Sequence, residues 1–204
     1  MQATTARKRT RPTITEQARR AQIIGAAMAT IAELGYARAS FAQIAKRAGL
    51  SSTGLISYHF ASKKDLDWAI VEEIYGRLSH HMTEAMEHVS GPQEALVAYI
   101  EGLIGFMKRD PAALRVMADI VLHGGVDYTA ETERESTSGI SDILRWGQAE
   151  GVFRNFDVQV MATTIQRSLD GIPLAQMTNP DLDLDNYARE LVEIFTRATQ
   201  QRDI

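Results

Sequence analysis

The stretch from Gly54 to Leu66, GLISYHFASKKDL, holds the densest set of chemically capable side chains in the sequence. Ser57, Tyr58 and His59 offer a hydroxyl, a phenol and an imidazole, each able to donate a hydrogen bond, and Lys63 and Lys64 follow as paired positive charges. Such donors suit an anion, above all the phosphates of a nucleic-acid backbone. Ser52, Thr53 and Gly54 come just before them, where short side chains let a backbone approach closely. A second group, His80, Glu84 and His88, is spaced four apart and shares one face of any helix, with His81 beside it. That is a possible geometry for Zn²⁺ or Ni²⁺. Exposed polar residues on a long helix more often form a solvated face, so no metal is expected, and no cofactor. The sequence has no His-Glu-x-x-His, no glycine-rich phosphate loop and no Gly-x-Ser-x-Gly elbow. With no cysteine, it also lacks a thiolate nucleophile, a thiolate metal site and any disulfide.

Charge separates the chain into two electrostatic parts. Residues 1–64 carry 11 Lys/Arg against 2 Asp/Glu, a net of +9. The remainder keeps 11 of the 22 bases and 24 of the 26 acids, a net of −13. Clustered bases on a small segment are what phosphate neutralisation and counterion release require, and an acidic body would take no part in it. The basic arm Arg7, Lys8, Arg9 and Arg11 is expected to be disordered when free and to reach the DNA backbone or minor groove on binding. No apolar run approaches a bilayer span, and the basic N-terminus lacks the apolar stretch of a secretory signal, so the expected location is the cytoplasm, with no membrane partner.

Helical signals position these groups. Thr15 is placed to cap a helix whose apolar positions Ala18, Ala21, Ile24, Met28, Ile31 and Ala32 recur every three to four residues, closed by Gly35. Ser40 with Gln43 three residues on forms a capping box for SFAQIAKRAG, closed by Gly49. Ser51 or Ser52 then caps a third helix, with Leu55, Ile56 and Tyr58 able to pack inward and Phe60 as anchor. Ser62 caps a fourth, which sets Lys63 and Lys64 at a positive helix N-terminus. Two short helices after a longer one, joined by a turn, outline a helix-turn-helix, in which the third helix would read the major groove.

With those residues in place, AGLSSTGLISYHFASKKDL resembles the DNA-binding signature of the TetR family of bacterial transcriptional regulators. Gly35 and SFAQIAKRAG are similar to it as well. Two departures stand out: the LSSTG turn is one residue longer than usual, and Ser57 occupies a position where many members carry tyrosine. The resemblance implies an all-α homodimer with a C-terminal ligand-binding domain and an operator of two-fold symmetry. The expected DNA-contacting residues are Arg11, Ser40, Gln43, Ser52, Thr53, Gly54, Ser57, Tyr58, His59, Lys63 and Lys64. The expected division is a basic arm over 1–13, a DNA-binding domain over 14–64 and a helical ligand-binding and dimerisation domain over 65–204.

The body reads as further helices. Leu66, Ala69, Ile70, Ile74, Leu78, Met82 and Met86 line one side of a long run, Pro92 begins the next helix, and Asp110 with Pro111 starts another that breaks at Gly124 and Gly125. The segment from Thr129 begins acidic and ends at Gly151, and its AEGVFR is similar to a phrase at this position in TetR-like proteins. Two last helices, about 157–177 and 185–199, are those the resemblance assigns to the dimer. A ligand cavity among the preceding helices draws on Trp68, Tyr75, Met82, Met86, Phe106, Met107, Met117, His123, Tyr128 and Trp146, although any of these equally fills core. Arg115 or Arg145 is a possible partner for a ligand carboxylate. The expected function is a repressor released from its operator by a small molecule. A DNA-binding dimer read out by a partner protein is the alternative, and a helical enzyme with a basic appendage is the remaining one.

Overall fold

The computed structural model describes residues 13–127 and 129–201, and within them the chain is helical throughout. Helix α1 spans Ile14–Leu34. Its cap is Thr13 rather than Thr15, because the Thr13 side chain accepts from the Glu16 backbone while Glu16 reaches back to the Thr13 N–H. Its buried face is Ile23, Ile24, Ala27, Thr30 and Ile31, so the expected Ala18 and Ala21 lie outside the core. Gly35 ends it with φ of 80°, and a single 3₁₀ turn over Tyr36–Arg38 leads on. Helix α2, Phe41–Arg47, is capped by Ser40, whose hydroxyl accepts from the Gln43 N–H. Helix α3 spans Gly54–His59 and buries Ile56 alone, with Phe60 just beyond it.

Helix α4, Lys63–Met86, is capped by Ser62 and packs along α5, Pro92–Arg109, whose first residue is the proline the sequence marks. Helix α5 is apolar on nearly every side and meets α4, α7, α8 and α10, which makes it the axis of the body. Helix α6, Ala113–Leu122, begins later than the Asp110–Pro111 pair predicts. Asp110 instead caps the end of α5 and forms an ion pair with Arg77.

Helix α7, Ala130–Ala149, starts at a capping box of Thr129 and Thr132. Its penultimate turn carries Gly147, where a Cβ would lie 2.0 Å from Phe153 Cδ2, so only glycine lets that ring fold back against the helix. The expected single helix over 157–177 is two: α8, Val158–Asp170, and α9, Ile172–Thr178. Pro173 has no N–H to donate to the preceding turn, and the chain bends at Gly171. Helix α10, Leu184–Thr199, is capped by Asp183 and packs on α5. No helix among the described residues is long and apolar enough to cross a membrane.

Candidate nucleic-acid interface

Two short helices are fixed to α1 by packing and by staples. Ile44, Ala45, Ile56 and Phe60 are buried, the Arg20 guanidinium lies 4.2 Å from the Phe60 ring centre, and Arg20 also donates to the His59 carbonyl at 3.1 Å. Gln22 donates to the Ala48 carbonyl at 2.8 Å, and Arg47 pairs with Glu33. These groups hold the frame and leave the opposite surface free. That surface presents Ser40, Gln43, Ser51, Ser52, Thr53, Gly54, Leu55, Ser57 and Tyr58, all exposed, with His59 half-buried.

Leu55 and Tyr58 therefore do not pack inward as the apolar pattern suggests, and Tyr58 is 73% exposed. In a helix of six residues only one position per turn faces α1, and Ile56 takes it. Neither Ser51 nor Ser52 caps α3. Its N-cap position is Thr53, with no side-chain cap bond, and the Leu55 and Ile56 N–H groups donate instead to the Ser52 and Thr53 carbonyls at 3.4 and 3.0 Å. The Tyr58 ring meets His59 edge-on at 5.1 Å, and its hydroxyl lies 3.5 Å from Glu16 Oε1.

Lys63 and Lys64 occupy the first turn of α4 but are already engaged. The Lys63 ammonium sits 3.3 Å from the Tyr36 ring centre, and Lys64 Nζ is 2.7 Å from Asp127 Oδ2. Burial pulls the Lys63 ammonium below the usual lysine range, against the attraction of Asp67 and Asp119.

Around Lys63 lies a polar joint that spacing alone does not reveal. The Tyr36 hydroxyl donates to Asp67 Oδ2 at 2.6 Å, and the Tyr36 N–H donates to Asp119 Oδ2 at 2.7 Å. The 3₁₀ turn after α1 is thereby bonded to both α4 and α6. Asp67 is 1% exposed, and burial pushes its carboxyl up while the Tyr36 hydroxyl and Lys63 draw it down. A Cβ on Gly125 would fall 2.7 Å from the Tyr36 hydroxyl, so the joint closes over a glycine. The one sequence signal for it was Asp67 itself, an acid among the apolar positions of α4.

The body holds a cleft of about 720 Å³ where α4 and α7 lean on α5 without closing over it. Met82, Met86, Tyr99 and Ile143 form its apolar walls, with His80, Glu84 and Glu87 at the rim. Of the residues expected there, Met82 and Met86 line it. Phe106 and Met107 are buried in the core of α5, and Met117 packs against that core from α6. His123 belongs to the joint instead, with Nδ1 3.0 Å from Asp119 Oδ1. Trp68 and Tyr75 are exposed on α4, and Trp146 is on the outside of α7, donating to Glu150 at 2.6 Å. Arg115 is exposed, and Arg145 pairs with Asp142 at 2.8 Å, so neither cation faces the cleft. Arg11 and Tyr128 lie outside the described residues.

His80 pairs with Glu84 at 3.4 Å, whereas His88 lines a separate, smaller groove. No group of three His, Cys, Asp or Glu able to hold a metal occurs among the described residues. From the cleft wall a hydrogen-bonded chain runs into α8: Tyr99 donates to Gln166 at 2.8 Å, and Gln166 and Arg167 both donate to Asp170. Burial pushes both the Tyr99 phenol and the Asp170 carboxyl up.

A basic helix-turn-helix on an acidic helical body with a cleft is the build of a DNA-binding regulator. Residues 23–67 match the model of bacterial regulatory proteins of the tetR family. The HTH-type transcriptional regulator BetI of Yersinia pestis (strain Pestoides F) is 38% identical over 103 residues, 48% of this chain and 50% of that protein. BetI of Stenotrophomonas maltophilia (strain R551-3) is 34% identical over 102 residues, 50% and 52% of the two chains. The chain thus spans about half the length of the curated relatives it matches. Among solved structures, the fatty acid degradation regulator FadR from Bacillus halodurans superposes with a TM-score of 0.76 at 22% identity, covering 92% of this chain and 97% of that one. A tetR-family regulatory protein from Rhodococcus RHA1 gives 0.74 at 21% identity, covering 91% and 98%. Over residues 23–67 the chain thus carries the tetR-family sequence pattern, and as a whole it has the fold of these solved regulators.

Proposed function

We propose that the protein is a homodimeric repressor that leaves a two-fold symmetric operator when a small molecule enters the body. The observation that carries this reading is the exposed polar face of α3, mounted on the basic segment and bonded through Tyr36 to α4 and α6. In this reading residues 14–64 form the DNA-binding domain and 65–204 the ligand-binding and dimerisation domain. Thr53 and Gly54 approach base edges, while Ser40, Gln43, Ser52, Ser57, Tyr58, His59, Lys63 and Lys64 serve the backbone.

Two copies meet through α8 and α10, which leave Val160 64% and Ile194 53% exposed. The effector occupies the cleft between α4 and α7 and changes the spacing of the two heads. Ligand and DNA then oppose each other by the same factor. Selection of bound duplexes from a random library tests this reading. Paired inverted half-sites about one helical turn apart are expected, and Thr53→Ala should alter the preferred bases while Tyr58→Phe weakens all duplexes alike. A selection that yields no symmetric motif refutes it.

The cleft is open along one side rather than sealed. That openness supports a second reading, in which a partner protein takes the place of the small molecule. An effector screen against the selected duplex separates the two.

A further inference from the structure

One lysine that the proposed DNA contact needs, Lys64, is held by a carboxylate of the acidic body, Asp127. Asp127 lies between α6 and α7, with its carboxylate 2.7 Å from Lys64 Nζ at the first turn of α4. Its position is set by its neighbours: Val126 is buried, Gly125 is packed against the Tyr36 hydroxyl, and the Gly125 N–H donates to the Ile120 carbonyl at 2.9 Å. The first turn of a long helix carries free N–H groups and the positive end of the helix dipole, so the same place suits a carboxylate or a phosphate. Lys64 cannot pair fully with both.

We propose that Asp127 is a built-in competitor of DNA phosphate for Lys64. This inference rests on the function proposed above and concerns the regulation of that site. While Asp127 holds Lys64, one backbone contact is withheld, and DNA binding must displace the carboxylate. Asp127 also stands three residues before α7, whose Gly139 and Ile143 border the cleft. A ligand that shifts the start of α7 therefore changes how firmly Lys64 is held, without touching α3. The competition is modest in size, because both partners are partly exposed.

The test is a double-mutant cycle of Asp127→Asn and Lys64→Ala in the full chain. Its readout is fluorescence anisotropy on a short labelled duplex of arbitrary sequence, across a salt series, since phosphate contacts do not depend on sequence. Asp127→Asn alone should tighten binding about 1.5- to 5-fold, the range for an exposed ion pair. Lys64→Ala should weaken binding and reduce the log–log salt slope by about 1. In the Lys64→Ala background the gain from Asp127→Asn should vanish. Equal gains in both backgrounds would show a general charge effect and overturn the proposal, as would no gain in the wild-type background. If the wild-type protein binds no duplex even at low salt, the DNA-binding reading falls first and this inference falls with it.

Discussion

Replacing Tyr36 by Phe removes one oxygen and tests the joint between the first three helices and the body. The hydroxyl donates at 2.6 Å to Asp67, a carboxylate that is 1% exposed and has little access to water as a substitute partner. Leaving a buried acceptor without its donor costs about 1–3 kcal/mol, and more when the acceptor is charged. In a protein of this size each kcal/mol lowers Tm by roughly 2–4 °C. The pH dependence makes the test specific. Burial already holds the Asp67 carboxyl above its ordinary range, and the Tyr36 hydroxyl is one of the groups that draws it back. The substitution raises it further, so the deficit belongs mainly to the ionised form. The deficit should be full at neutral pH and shrink as pH falls through the folded Asp67 value. Urea unfolding at fixed protein concentration, repeated from neutral to mildly acidic pH, measures it. Adding Asp67→Asn should recover part of the loss, giving a double mutant less impaired than the sum of the singles. A Tyr36→Phe protein as stable as wild type at neutral pH, or equally impaired at every pH, would refute this account of the joint.

Further outcomes follow from the same geometry. Gly147→Ala drives a methyl into the Phe153 ring, 2.0 Å from Cδ2, and should cost about 1–3 kcal/mol in urea unfolding, where an unchanged midpoint would contradict the packing. Carboxyl titration by NMR should find Asp67 and Asp170 above their ordinary range and Glu16, Glu94 and Asp185 below it. The raised pair takes stability away as pH rises through their folded values; the lowered three contribute stability that is lost as pH falls through theirs. Val160→Asp places a charge at the one large apolar side chain that α8 exposes and should convert the expected dimer to a monomer by light scattering.

Local signals were legible wherever one residue decides the geometry. Ser40 and Ser62 cap α2 and α4, Gly35 and Gly49 take positive φ, and Pro92 opens α5, all at the positions their chemistry marks. The inward face of α4 runs from Leu66 through Ile74 as its spacing indicates, although it also contains the buried Asp67. Spacing marks Thr15 as the cap of α1, but the reciprocal bond from Glu16 puts the cap at Thr13. The cleft was the least legible part. Phe106 and Met107 have the size and softness of pocket residues, but α5 is surrounded by other helices and spends them on core. The joint depends on partners 31 and 83 residues apart, Tyr36 with Asp67 and Tyr36 with Asp119, which no periodicity within one helix can show.

The most direct test of the central claim is fluorescence anisotropy of the purified protein on a library-selected duplex and on its scrambled counterpart across a salt series. A sequence-specific dimeric regulator should bind the selected duplex at least about 10³-fold more tightly, with affinity for both falling steeply as salt rises. Equal affinity for the two duplexes, or binding indifferent to salt, would contradict the assignment of α3 and its flanking bases as the DNA-reading surface.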